Sequence, residues 1–223
     1  MRRFQNKHKG ETCIIMGNGP GLKSVPKSFL EKYSTFGVNK IFKMKGFTPT
    51  YYVCVDETML QHSCDKILSI KSKAIFVPYS FMMQGGNIVS FREVMRKGFS
   101  KDACRYLWGG WTVVFVCLQL AYWMGFQTVL LVGVDHYYEF PEGTFTKKFQ
   151  IKRLVSDGND INHFTPDYHE PGEEYMAAPD LRRMEESYTM AEQAFRDDRR
   201  RIVNLTPESA LYVFELGDIK EWM

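Results

Sequence analysis

The sequence predicts an α/β fold in which an open, mostly parallel sheet carries helices on both faces. Three observations lead to that expectation. Short apolar, β-branched runs alternate with segments of helical spacing along the whole chain, the pattern of repeated βαβ units. The runs at 13–16 and 128–134 are apolar almost throughout, as strands buried on both faces are. The first run then breaks into Gly17-Asn18-Gly19-Pro20-Gly21, a turn whose backbone must come close to something.

Residues 22–33 carry Pro26 and a Phe29/Leu30/Tyr33 face, a short helix that starts late. Residues 35–39 and 49–56 are the second and third strands, ending on Asn39 and Asp56. Residues 58–69 form a helix and 74–78 the fourth strand. From 79 to 105 Gly85, Gly86 and Gly98 punctuate the chain, and 91–97 has room for a helical turn or two. Residues 113–124 are apolar nearly all round, with Thr112 as a capping candidate and Gly125 at the end, so this helix belongs in the middle of the fold. The run at 128–134 is the most hydrophobic and the expected centre of the sheet, stopping at Asp135. Residues 137–167 mix Gly, Pro, Asn, Asp and aromatic residues with no steady period, and 137–179 is expected to be a partly irregular lid over an active site. Leu181, Met184, Tyr188, Ala191 and Phe195 fall at helical spacing within a helix over 180–199. A last parallel strand follows at 201–206, then a turn, then an extended stretch at 211–214. The expected architecture is one Rossmann-like catalytic domain over residues 11–223, binding a nucleotide or nucleotide-sugar, behind a basic, solvated tail at 1–10.

Composition sets limits. A chain of 223 residues, 44% hydrophobic, can bury one core without dividing. With 29 basic and 26 acidic residues it has no need of nucleic acid or an anionic membrane as partner. Residues 1–11 lack the apolar stretch of a signal peptide, and 112–124 is too short, and too interrupted by Gln119, to span a bilayer. Cys13, Cys54, Cys64, Cys104 and Cys117 form no CxxC pair and read as buried free thiols in a reducing compartment, which makes the chain a cytoplasmic protein. The sequence leaves a homo-oligomer open.

In such sheets ligands sit beyond the carboxyl ends of the strands. The candidates there are Gly17, Asn18, Gly19 and Pro20, Asn39, Asp56, Asp135 and Tyr137, and Thr206, Pro207 and Ser209. Gly17 and Gly19 match the start of a dinucleotide fingerprint, but Leu22 occupies its third glycine position, and Asn39 stands where an NAD site wants an acid. No Gly-Lys-Ser/Thr follows, so the turn is not a P-loop. Amides at these positions suit a base or ribose, and N–H groups of the turn suit phosphate. Each candidate also has a plain structural role: Asn18 bending a turn, Asn39 and Asp56 capping, Asp135 anchoring a backbone N–H. Gly109-Gly110 before the buried helix either packs or seats a phosphate at its positive end. In the lid, His163 is the acid–base candidate, with His136 second; His62 and His169 lack a comparable setting, and no grouping has metal-ligand spacing.

Several segments resemble a bacterial and phage domain family named after the archaeal-type 6-hydroxymethylpterin diphosphokinase, which also forms the core of motility-associated glycosyltransferases. They are Gly17-Asn18-Gly19-Pro20, Phe36-Gly37-Val38-Asn39, the run from Pro49 through Asp56, Gly133-Val134-Asp135-His136, Asn162-His163-Phe164-Thr165-Pro166-Asp167-Tyr168 and Asn204-Leu205-Thr206-Pro207. More remotely, the landmarks are similar to those of the bacterial lipooligosaccharide sialyltransferases, which use a CMP-activated sugar. That resemblance implies nucleotide contacts from Asn18, Gly19 and Asn39, with Asp56 standing where that family has Asn. It implies that 109–112 matches a helix-start Thr-Ser-Gly, and 206–209 a Cys-Pro-x-Ser turn. It implies His163, in Asn159-Asp160-Ile161-Asn162-His163, as general base and Tyr137 as donor to the departing phosphate oxygen.

Three functions follow as expectations. The first is transfer of a nonulosonic sugar from a CMP donor to a hydroxyl acceptor, with no cofactor required. The second is an Mg²⁺-ATP-dependent diphosphokinase acting on a pterin, with Mg²⁺ on Asp56 and Asp135 and phosphates met by Arg105 or by Lys147, Lys148, Lys152 and Arg153. The third is an inactive nucleotide-sugar-binding module.

Overall fold

A computed structural model describes residues 1–139, 153–176 and 179–223. In chain order the strands are β1 (Thr12–Met16), β2 (Ser34–Val38), β3 (Tyr51–Val53), β4 (Ala74–Pro78), β5 (Ile88–Phe91), β6 (Glu93–Val94), β7 (Leu107–Trp108), β8 (Thr128–Val132), β9 (Arg153–Val155), β10 (Glu174–Met176), β11 (Arg201–Asn204) and β12 (Glu215–Leu216). The α-helices are α1 (Lys27–Leu30), α2 (Glu57–Ser69), α3 (Val113–Trp123) and α4 (Leu181–Asp197).

Eight strands form one sheet in the order β12-β11-β8-β1-β2-β3-β4-β5, and every pairing in it is parallel. β1 lies between β2 and β8, with Ile14 opposite Thr35 on one side and Leu130 on the other. Both strands adjoining β1 are thus parallel to it, and the order runs outward from the β1–β8 pair in opposite directions. A crevice opens there beyond the strand ends.

Alternation along the buried strands divides the core into two layers. Ile15, Phe36, Tyr51 and Phe76 share one layer with α3 and α4, while Ile14, Met16, Tyr52 and Ile75 share the other with α1 and α2. Helices therefore cover both faces, as expected. Every residue of α3 is buried, including Gln119. Its amide is fully used: Oε1 accepts from the Ser100 and Trp108 N–H groups at 3.0 Å each, and Nε2 donates to Trp108 O at 2.7 Å. A polar side chain is tolerated in an apolar helix because it pins β7.

Five expectations need correction. Residues 1–10 are not a solvated tail. Phe4 packs edge-on against Phe76, and His8 stacks on Phe126 while its Nε2 meets the Tyr51 hydroxyl at 2.7 Å. The N–H groups of Asn6, His8 and Gly10 donate to the carbonyls of Trp123, Met124 and Gly125. The open carbonyls at the end of α3 need donors, and this segment supplies them. Residues 93–94 pair in parallel with 107–108 rather than forming a helical turn. The extended stretch after the last turn becomes a strand only at Glu215–Leu216, beside β11. The lid contains an antiparallel hairpin, with Tyr175 opposite Leu154. All five cysteines are free, but Cys104 is exposed and Cys64 only partly buried. Among the described residues no helix is long and apolar enough to cross a membrane.

Candidate active site

The glycine turn lies across the end of β8. Gly17 N–H donates to Val132 O at 2.8 Å, Gly19 N–H to Gly133 O at 2.9 Å, and Gly21 N–H to Asp135 Oδ1 at 2.8 Å. A Cβ on Gly17 would stand 2.2 Å from Gly133 O, and one on Gly19 would stand 1.9 Å from Asp135 Oδ2. The motif is glycine-rich so that two strand ends can touch. Its three glycine N–H groups are spent inside the protein, and the segment that follows is a 3-10 helix over Pro20–Ser24 rather than an α-helix. The phosphate seat expected at this turn is therefore corrected.

Asn18 fastens the lid to the sheet. Its Nδ2 donates to Val38 O and to the Tyr168 hydroxyl, both at 2.9 Å, and its carbonyl accepts from Phe164 N–H at 2.8 Å. Tyr168 is buried beneath His163, the two rings parallel with centroids 3.7 Å apart. This stack is a wall between two chambers. The inner one, about 140 Å³, is lined by Gly17, Asn18, Asn39, Asp135, His136 and the start of α3, among others. The outer one, about 410 Å³, is lined by Lys40, Asp56, Trp111, Asp160, His169 and Glu173, among others. Asn39, Tyr138, Asn162, His163 and Tyr168 face both.

Asp160 holds His163 in place. The Asp160 side chain is only 7% exposed, and its Oδ2 lies 2.8 Å from His163 Nδ1. Burial alone would raise the Asp160 pKa, but the His163 hydrogen bond, its charge and the Asn162 N–H together hold it below the usual carboxylate value. An ionised carboxylate only accepts, so Nδ1 carries the proton and Nε2 presents a lone pair. His169 also approaches Asp160, at 3.7 Å through Nε2, and stacks on Tyr175. Ligand atoms of Asp160, His163 and His169 lie within 4.8 Å of one another. The sequence spacing gave no sign of this cluster, although the hydrogen bonds of Asp160 already account for it.

The lid is anchored on its other side by Lys40, which is buried, pairs with Glu173 and donates to Tyr168 O at 3.0 Å. Burial opposes ionisation of Glu173, but the Lys40 and Glu170 N–H contacts outweigh it and bring its pKa to about 2. A carboxyl depressed on folding stabilises the fold above its ordinary titration range and loses that contribution as pH falls through the folded value. Amide protection factors at residues 168–175, referred to the intrinsic exchange rate at each pH, are therefore expected to be high above pH 4.5 and to fall progressively toward pH 2. Protection factors independent of pH in that window would exclude Glu173 as the anchor.

Several expected contacts fall elsewhere. Pro20, Gly109 and Gly110 line neither chamber; a Cβ on Gly110 would stand 2.0 Å from Phe115, so packing explains that glycine. Thr206, Pro207 and Ser209 also line neither chamber. Thr206 Oγ1 accepts from Val134 N–H at 3.0 Å and Ser209 Oγ donates to Val134 O at 2.7 Å, so this turn braces the end of β8. Tyr137 reaches the inner rim but is 61% exposed, whereas Tyr138 and Tyr188 stand inside. Burial raises the Tyr138 pKa to about 12, keeping it a proton donor. Asp56 caps α2, accepting from Met59 N–H at 2.9 Å. Asp56→Ala is expected to cost about 1 kcal/mol and to lower Tm by about 2–4 °C. Nucleotide affinity, checked by calorimetry beside the melt, should not change. Asp56 lines the outer chamber and Asp135 the inner one, where its Oδ1 accepts from Gly21 N–H. Arg105 lines neither chamber, the side chain of Arg153 is not described, and Lys147, Lys148 and Lys152 lie outside the described residues.

Four buried polar atoms around the inner chamber have no hydrogen-bond partner among the described residues: Asn18 Oδ1, Asn39 Oδ1, Asp135 Oδ2 and His136 Nδ1. Leaving such atoms unmet costs about 1–3 kcal/mol each. Burial also raises the Asp135 pKa, against the Gly21 N–H that lowers it. Concentrated in one cavity, these atoms ask for a ligand rich in donors, as a ribose diol or an exocyclic amine is. Asn39 has φ +47°, which turns its amide into the crevice beyond β2.

The family model described as "6-hydroxymethylpterin diphosphokinase MptE-like" matches residues 1–140. The chain belongs to that family. Its matched part contains strands β1 to β8, two of the three asparagines lining the inner chamber (Asn18 and Asn39), Asp135 and His136. The family match stops before His163 and Asp160. No curated protein matches in sequence. Among solved structures, the chain is similar to the sialyltransferase CstII from Campylobacter jejuni in complex with the substrate analogue CMP-3FNeuAc. They share 14% identity and a TM-score of 0.50, covering 92% of this chain and 86% of that one. A second structure of CstII, in complex with cytidine-5'-monophosphate, gives 13% identity and a TM-score of 0.51, covering 95% and 86%. At this identity the likeness is one of fold, a glycosyltransferase-like α/β fold.

Proposed function

We infer that this MptE-like chain transfers a sugar, a nonulosonic acid in the first instance, from a CMP-activated donor to a hydroxyl acceptor. The observation that carries this is the position of His163, fixed by Asp160 in the wall common to two chambers. A base there reaches a donor seated on one side and an acceptor entering from the other. The CMP ligands of the CstII structures support the choice of nucleotide.

The nucleoside takes the inner chamber, its hydroxyl and amino donors meeting Asn18, Asn39 and Asp135. The phosphate rests against the first turn of α3, where Thr112, Val113 and Val114 line the cavity and the helix dipole is positive. The acceptor approaches through the outer chamber, past Trp111 and Lys40. His163 Nε2 takes the proton of the acceptor hydroxyl as the new glycosidic bond forms.

Calorimetric titration with CMP, UDP, GDP and ATP, each with and without Mg²⁺, tests this. CMP is expected to bind tightly and without regard to metal, followed by turnover of CMP-sialic acid. Asn39→Gly keeps the backbone conformation while deleting the amide, and should weaken CMP about tenfold. Binding of ATP only with Mg²⁺ would overturn the proposal in favour of a diphosphokinase. CMP binding without turnover of any CMP-sugar would mark a binding module.

A further inference from the structure

His136 lines the inner chamber along with His163 and has a carboxylate of its own. Its side chain is 2% exposed, and its Nε2 lies 3.0 Å from Glu185 Oε1 on α4. With Nε2–H given to Glu185, Nδ1 is left buried and without a partner among the described residues. The backbone at His136 holds φ +56°, a left-handed conformation that directs the ring inward from the end of β8. The ring packs edge-on against Tyr188 at 6.1 Å, and the Tyr188 hydroxyl donates to Thr112 Oγ1, the cap of α3, at 3.4 Å. His136 thus adjoins the positive end of α3. Of the four unpartnered atoms, the three oxygens accept only, unless Asp135 is protonated; the imidazole becomes a cationic donor on taking a proton.

We propose that His136, positioned by Glu185, is a second acid–base residue that donates a proton to the leaving phosphate oxygen. This rests on the transferase reading above and deepens it by naming the group that handles the departing nucleotide. As the bond between the anomeric carbon and the phosphate oxygen breaks, its electron pair leaves with the phosphate, and the proton on His136 Nδ1 passes to that oxygen. The acceptor oxygen bonds to the anomeric carbon and its proton goes to His163 Nε2. A turnover ends with His136 neutral and His163 protonated, and exchange with solvent restores both. The charged and titratable groups around His136 are Glu185 and Tyr188 on α4, Asp135, Tyr137 and Tyr138 in its own segment, and His163 in the same cavity lining.

Imidazole NMR of the full chain gives a readout that does not depend on turnover. Inorganic phosphate and CMP should each hold His136 protonated to a pH at least one unit higher than in the free protein, and cytidine should not. Glu185→Gln, at a half-exposed position that leaves the core intact, should lower that pH by a similar amount. In turnover of CMP-sialic acid, His136→Gln should reduce kcat about 100-fold and remove the alkaline limb of the pH profile, with CMP affinity falling by up to about tenfold at acidic pH, as the linkage requires. If CMP neither binds nor turns over but inorganic phosphate moves His136, the transferase reading fails while His136 stands as an anion-sensing group. A His136 signal indifferent to both phosphate and CMP overturns the proposal, as does full activity with an unchanged alkaline limb in His136→Gln.

Discussion

His163→Ala is expected to lower kcat for CMP-sugar transfer by about 10²–10⁴-fold, roughly 3–5 kcal/mol of barrier, with CMP affinity unchanged within threefold. The reason is geometric. His163 forms part of the wall of the inner chamber, but the unpartnered atoms that would hold a nucleoside belong to Asn18, Asn39 and Asp135 at the strand ends. Removing the imidazole therefore takes away the proton acceptor and spares the donor seat. Asp160→Asn should reproduce much of the loss in kcat without touching KM for the donor, because an amide can offer its own N–H to Nδ1 and leave the proton on Nε2, the wrong tautomer for a base. The comparison separates chemistry from packing: Tyr168 stacks on His163 whichever tautomer is present. Should His163→Ala remain folded and turn over CMP-sialic acid at the parent rate, the base is another group.

The sheet was readable from sequence because its strands are short apolar runs ended by polar residues, and those ends mark the crevice. Asn18, Asn39 and Asp135 could be picked out on that ground, and His163 as a histidine in an irregular lid; all four line the inner chamber. What escaped was whatever depends on two distant segments meeting. Glu185 lies on the exposed side of an amphipathic helix and reads as solvated, yet it reaches His136 from a different element. Asp160 stood in view three residues before His163, but a loop has no period from which to infer that its carboxylate turns onto the ring. Lys40 reads as a surface cation after a strand and is instead buried against Glu173 from the lid. The basic opening misled because Phe4 and His8 count for little in composition, while the carbonyls they help to cover at the end of α3 belong to a segment more than a hundred residues away. Thr206 and Ser209 stand at a strand end, as a ligand-binding turn would, but their hydroxyls are consumed by the neighbouring strand.

Gly17→Ala is the substitution expected to cost the fold most for one added methyl group. Its Cβ would stand 2.2 Å from Gly133 O and 2.8 Å from Gly133 C, contacts with backbone rather than with a side chain that can turn aside. The end of β8 has little freedom to retreat: Gly19 N–H holds Gly133 O, Thr206 holds Val134 N–H, and Ser209 holds Val134 O. Relief must come from separating β1 and β8 at the centre of the sheet, at an expected cost of about 2–4 kcal/mol. That corresponds to a fall in Tm of roughly 4–16 °C for a chain of this size. Gly86→Ala is the matched control, since a Cβ there meets nothing within 4 Å; it should change stability by less than about 1 kcal/mol, in the stabilising direction. Thermal melts of the pair decide what the glycine motif is for. A large fall with Gly17→Ala and none with Gly86→Ala assigns the motif to the contact between strand ends. Equal melts for both variants would mean that the strand ends stand wider apart, with room for a phosphate at the turn.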